Sequence, residues 1–217
     1  TITMNKILVA ANWKMNGSKS FVSDFIRDIV TNYNQEHYHE LLICPPFPYL
    51  DQVSKGLSQT DVEIGAQDIA QFDKGPYTGE VSAEMLLDNN CKYVLVGHSE
   101  RRKILGERND TISEKFNMAI KNNLVPILCI GETLDQKEKS LTDEIINSQI
   151  TAITESIDLN KNSKFIIAYE PVWAIGSGLS ATPEDAQNVH EFIRSLIKKI
   201  SKELAENTQI LYGGSVN

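Results

Sequence analysis

Four short segments carry residue types that can move a proton and hold an anion. Asn12-Trp13-Lys14 offers an amide and a cation, and Gly97-His98-Ser99-Glu100 offers an imidazole beside an acid. Glu170 is a carboxylate leading into a long glycine-containing stretch, and Gly213-Gly214-Ser215 is small, donor-rich backbone. A carboxylate can take a proton, an imidazole can give or accept one near neutral pH, and successive backbone N–H groups can cradle an oxyanion or phosphate. Each segment alone has an ordinary reading. Lys14 reads as a solvated loop lysine, His98 as a hydrogen-bonded structural histidine, Glu170 as a strand-terminal acid and Gly213-Gly214 as a tight turn. Coincidence becomes a poor account because each of the four directly follows an apolar run of strand length.

Those runs are Lys6 to Asn12, Glu40 to Cys44, Val62 to Gln67, Tyr93 to Val96, Val125 to Ile130, Phe165 to Tyr169 and Gln209 to Tyr212. They are nearly all apolar rather than alternating, as expected for strands covered on both faces. Six stretches of helical period separate them. The last shows Val189, Phe192, Ile193, Leu196, Ile197 and Ile200 at helical spacing, with Thr182 as cap, Pro183 in the first turn and Asp185 at the capping-box position. Phe21, Phe25 and Ile29 mark one face of the first helix; Ile146, Ile150, Ile153 and Ile157 mark the fifth. Strictly alternating units without a composition break predict one continuous α/β domain over residues 1–217, either a barrel or a doubly wound sheet. In a parallel barrel, function gathers at the carboxyl ends of the strands, where all four segments fall.

Composition narrows the partners. With 21 basic and 29 acidic side chains the net charge is −8, so no summed positive field attracts nucleic acid or an anionic membrane. The longest apolar runs are far short of a bilayer span and no leader pattern opens the chain, so a cytoplasmic protein is the simplest reading. Cys44, Cys91 and Cys129 lack metal-like spacing and read as small buried apolar residues. His37-Tyr38-His39, between Glu36 and Glu40, lacks a distant third ligand, and no metal or other cofactor is expected.

Asn12-Trp13-Lys14, Tyr93 to Arg102 (YVLVGHSERR), Cys129-Ile130-Gly131-Glu132, Tyr169 to Gly178 (YEPVWAIGSG) and Tyr212 to Ser215 (YGGS) resemble, in order and along the whole chain, the signature segments of the triosephosphate isomerase family. The resemblance implies a TIM (β/α)8 barrel that interconverts dihydroxyacetone phosphate and D-glyceraldehyde 3-phosphate through an enediolate, in glycolysis and gluconeogenesis. Carried over by position, it makes Glu170 the base, His98 the electrophile on the carbonyl, Lys14 and Asn12 donors to the developing charge, and Glu100 a supporting acid. The family is itself a standard worked case of a neutral imidazole used in this way, so that role is inherited from the resemblance. Gly176 and Ser215 match the family's phosphate contacts, joined by the backbone of Gly213 and Gly214. Pro171 and Val172 correspond to the leading hinge of a lid, Trp173 to its anchor and Ile175 to Gly178 to its tip. The stretch Gln71 to Glu80 resembles the loop by which the family docks into a second subunit, implying a homodimer.

Two departures accompany the resemblance. Leu179-Ser180-Ala181 stands where the family usually carries a lysine followed by threonine at the trailing hinge. The chain also ends five residues after its seventh strand-like run, whereas the barrel has eight strands and about 250 residues. The expectation is therefore a barrel lacking its last β/α unit, with seven strands and six to seven helices. Thr1 to Thr3 precede Met4, where such a sequence would naturally begin. A non-catalytic fragment that needs a complementing segment or partner is the alternative from another class. Another phosphate-binding barrel isomerase is a weaker one, since it does not account for the stretch from Tyr169 to Gly178.

Overall fold

A computed structural model describes residues 7–33 and 39–214, arranged in two compact units. The first runs to Leu95 and includes residues 122–124; the second comprises 96–121 and 125 onward.

The first unit contains β1 (Ile7–Asn12), α1 (Lys19–Asn32), β2 (His39–Cys44), α2 (Leu50–Gly56), β3 (Glu63–Ala66), α3 (Ala83–Asp88) and β4 (Cys91–Val96), whose last residue opens the second unit. The four strands pair in parallel in chain order. In-register pairing from Ile7 with His39 to Asn12 with Cys44 sets Asn12 at the carboxyl end of β1. Leu42, Cys44, Ala66, Val94 and Val96 are fully buried, which is why these runs show no polar alternation. Below them Lys92 donates to Glu40 and Glu63, and the Tyr93 hydroxyl donates to Glu40 at 2.7 Å. Burial and the Glu40 carboxylate push the Tyr93 phenol up to about 12.

The second unit contains α4 (Ser99–Lys103), α5 (Asn109–Lys121), β5 (Val125–Ile130), α6 (Leu134–Glu138), α7 (Thr142–Thr154), β6 (Ile166–Tyr169), α8 (Pro183–Lys198), α9 (Lys202–Asn207) and β7 (Ile210–Tyr212). β5, β6 and β7 are again parallel and in chain order. Ile146, Ile150 and Ile153 bury the apolar stripe of α7, and Val189, Ile193, Leu196 and Ile197 that of α8. Thr182 accepts the Asp185 N–H at 3.1 Å with Pro183 in the first turn, as the sequence predicts. Arg194 on α8 donates to the carbonyls of Ala205 and Thr208, holding α9 against it.

All seven strands fall within about two residues of their expected bounds; Lys6 lies outside the described residues. The helices number nine among the described residues, more than the six or seven expected. The additional ones, such as α4 and α6, have five residues each, too short for any period to show. On α1 the buried position is Val22, while Phe21 is half-exposed and meets Trp13 edge-on, with ring centroids 5.3 Å apart. The three cysteines are buried and unbridged. No helix among the described residues is long and apolar enough to cross a membrane.

Candidate active site

β4 ends in a turn at Gly97, whose φ of 72° lies in the left-handed region, and the chain then enters α4 with His98 as its cap. His98 Nδ1 accepts the Glu100 N–H at 3.3 Å. An acceptor at Nδ1 leaves the proton of a neutral ring on Nε2. That nitrogen stands 3.0 Å from Glu170 Oε2, so the imidazole donates to the carboxylate. The ring is buried at 7% side-chain exposure and Glu170 is only 20% exposed, which lowers the local dielectric and strengthens the contact. The Glu100 carboxylate lies on the opposite side of the ring, 3.5 Å from Nδ1.

Glu170 follows β6 directly, and its N–H donates to Ile130 on β5 at 2.8 Å. Two glycines leave room for it. A Cβ on Gly131 would lie 2.0 Å from the Glu170 carbonyl oxygen, and one on Gly213 would lie 3.0 Å from Oε1. Gly213 is in turn tied to Tyr169 by its own N–H at 3.0 Å. The second unit thus brings His98, Glu100, Glu170 and Gly213 together.

Asn12 and Lys14 stand together in the first unit, just past β1. Asn12 Oδ1 accepts the Lys14 N–H at 2.9 Å, and Lys14 takes a left-handed φ of 54°. A long side chain rarely adopts that backbone, and such outliers cluster where geometry serves a site. Gln67 fixes the turn by donating to the carbonyls of Lys14 and Cys44, each at 2.9 Å.

The stretch after Glu170 begins with Pro171 and a 3-10 turn over Val172–Ala174. Gly176 and Gly178 have φ of 68° and 73° and are exposed, and a Cβ on either would meet nothing within 4 Å. Gly176 is therefore glycine for its backbone and not for its surroundings. The far end is held by Tyr212, whose hydroxyl accepts the Ala181 N–H at 3.2 Å. Gly214 is exposed beyond β7, and Ser215 lies outside the described residues, as do His37 and Tyr38.

Three side chains absent from the expected site turn out to organise it. Glu132, 1% exposed, accepts the Tyr169 hydroxyl at 2.9 Å and the Trp173 indole N–H at 3.2 Å. Burial first and Glu132 second push the Tyr169 phenol far up, so it stays a donor. Lys137 sits 3.8 Å above the Trp173 ring. Arg102 donates to the carbonyls of Gly97 and Cys129 and to Asn109, pinning the turn that carries His98. Cys129 lies behind Glu170, and burial together with the Glu170 charge pushes its thiol far up, which makes it inert packing. The signal for Glu132 was its place directly after β5, a polar residue at a strand's carboxyl end like the others.

A carboxylate and an Nε2-protonated imidazole at 3.0 Å, on a sheet of parallel strands and beside a glycine-bearing loop, can abstract a carbon-bound proton next to a carbonyl. The family model that matches residues 7–217 is that of triosephosphate isomerase. The chain belongs to the triosephosphate isomerase family. It is 47% identical over 208 residues to the triosephosphate isomerase of Nitrosomonas eutropha, covering 96% of this chain and 82% of that one. It is 42% identical over 214 residues to that of Vesicomyosocius okutanii, covering 99% and 86%. The strand order within each unit agrees with the triosephosphate isomerase barrel, of which seven strands are present among the described residues. The chain is an isomerase of that family, with an α/β barrel fold.

Proposed function

We propose that the chain interconverts dihydroxyacetone phosphate and D-glyceraldehyde 3-phosphate, with Glu170 as the base and His98 as the electrophile. The observation that carries the assignment is the 3.0 Å approach of His98 Nε2 to Glu170 Oε2, with Nδ1 satisfied by the Glu100 N–H. When substrate enters between the two, its carbonyl oxygen takes over the Nε2–H. Glu170 then removes the proton from the neighbouring carbon; the C–H electron pair becomes the enediolate double bond and the carbonyl oxygen gains the charge. A proton then passes from the neighbouring hydroxyl to the former carbonyl oxygen by way of His98 Nε2, and returning the first proton from Glu170 to the other carbon leaves the carbonyl at the neighbouring position. Lys14 and Asn12 add donors to the developing charge, and Glu100, through the backbone N–H it supplies to Nδ1, holds the imidazole in its donating tautomer.

The phosphate is held by backbone N–H groups at Gly176 and Gly214 and by Ser215, the expected Gly213 N–H being taken by the Tyr169 carbonyl; backbone donors suit a dianion in a chain of net charge −8. The stretch from Pro171 to Ala181 acts as a lid that excludes water while the enediolate exists. The loop Gln71 to Glu80 docks into a second copy to form a homodimer, and the enzyme works in the cytoplasm.

The test is a coupled isomerase assay on the chain and on Glu170→Gln, which keeps the shape but removes the base. The expected loss in kcat is roughly 10²- to 10⁴-fold with little change in KM. An unchanged kcat in the variant, or a parent chain without isomerisation, would sink the assignment.

A further inference from the structure

Behind the reacting groups, wholly within the second unit, lies a cleft of about 610 Å³ bounded by α4, α5, α6 and α7. Ligand sites commonly span roughly 300–1,000 Å³, so its size admits a metabolite. Arg102, Lys103 and Arg108 line it against Glu107 and Asp110. Both acids are engaged: Glu107 Oε2 takes Arg101 at 2.8 Å and Lys115 at 3.0 Å, and Asp110 accepts the Thr111 N–H at the start of α5. Lys103 and Arg108 are exposed, and they leave the cleft cationic in a chain that is acidic as a whole.

A second feature narrows the occupant. The Glu107 side chain is only 6% exposed, yet its Oε1 has no donor among the described residues. A buried carboxylate oxygen without a donor is costly, and a small rotation of the Glu107 carboxylate that opens Oε1 to the cleft lets a hydroxyl of the occupant supply one. The cleft also reaches the chemistry. Gly131 and Val172 form part of its wall. Gly131 is pressed against the Glu170 carbonyl, and the Val172 N–H donates to the Glu132 backbone carbonyl at 2.9 Å. A molecule leaning on these two residues pushes on the backbone of the base and on the leading end of the lid, without touching either reacting group.

We propose that this cleft binds a small hydroxylated polycarboxylate and that its occupation slows the reaction by displacing the Glu170–Val172 backbone. The inference rests on the isomerase reading above. The probe is citrate, with tricarballylate, which has the same three carboxylates but no hydroxyl, as its partner; ionic strength is held constant with sodium chloride. With the parent chain, citrate is expected to lower kcat at least twofold at saturation while leaving KM unchanged. Tricarballylate should need about tenfold more to reach half-effect. The double variant Lys103→Glu/Arg108→Glu should keep its basal kcat and need about tenfold more citrate; Ser148→Glu, at an exposed position on the cleft wall, should behave alike and guards against misfolding of the first. Purely competitive inhibition, or equal citrate potency on parent and charge variants, overturns the site. Equal potency of the two acids overturns the hydroxylated class. A parent chain inactive without citrate is a failure of the isomerase reading instead, and calorimetric titration of citrate into parent and charge variants then still decides the site.

Discussion

At the scale of single residues, the position of Glu170 depends on what its neighbours lack. Gly213 has an ordinary backbone and need not be glycine for conformation; its missing Cβ would come within 3.0 Å of Oε1, against the far end of the Glu170 side chain. Gly213→Ala should therefore fold normally and shift the carboxylate by a few tenths of an ångström. Because small misplacements of reacting groups are expensive, kcat should fall about tenfold with KM nearly unchanged, while the circular dichroism melt stays within a few degrees of the parent. An undiminished kcat would show that the carboxylate has slack. The placing of Glu170, His98 and Lys14 just past strands was legible in the sequence, because each follows an apolar run of strand length. The steric role of Gly213 was not, since a Gly-Gly pair reads equally as turn, phosphate cradle or clearance until the facing side chain is known. Glu132 was passed over for a related reason: its place after β5 was the only signal, and its partners Tyr169 and Trp173 show only in the fold.

At the scale of elements, the joints between helices and loops hold the site, and two of them can be loosened separately. The proposed lid ends where α8 begins, and Thr182 caps that start. Thr182→Ala should cost about 1 kcal/mol and lower Tm by roughly 2–4 °C in a chain of this size, without the kcat loss of a base variant. The turn from α4 to α5 is held by Glu107 between Arg101 and Lys115. Burial raises the Glu107 carboxyl, but the two cations outweigh it and hold the group below the usual carboxylate range. A folded-state value below the unfolded one, about 4.3, contributes stability that is complete above that pH and is lost as the pH falls through the folded value. The Tm gap between the parent and Glu107→Gln should therefore be constant from pH 7 to about 5 and shrink below about pH 4; a gap independent of pH down to 2 would refute the assignment. Thr182 was readable as a cap because capping is local. Glu107 was not, since its cations come from six residues before it and eight after it on different helices. Short helices such as α4 and α6 escaped for want of a period, and the turn of α1 that buries Val22 instead of Phe21 is set by Trp13, which no helical pattern within α1 records.

At the scale of the whole molecule, the alternation of apolar runs and amphipathic stretches was enough to fix the α/β class, because parallel strands must be buried on both faces and connected by crossovers. The proposed homodimer rests on one loop. The ends of the stretch from Gln71 to Glu80 are clamped by the Ala70 N–H on the Val81 carbonyl at 2.8 Å, and Gly75 and Gly79 take left-handed φ of 131° and 92°. At its tip Phe72 and Tyr77 stack face to face with centroids 3.8 Å apart while remaining 39% and 38% exposed. In the proposed dimer these two half-exposed rings are the anchor, since aromatic side chains in pre-ordered positions dominate interface energetics. Under the proposed homodimer, Phe72→Ala/Tyr77→Ala removes the anchor and leaves the second unit, with Glu170 and His98, untouched. Losing an anchor of at least about 2 kcal/mol weakens association roughly 30-fold or more. Sedimentation velocity across a micromolar dilution series should then show the parent as a dimer and the variant shifting to monomer. If both sediment alike at every concentration, this loop does not hold the subunits together.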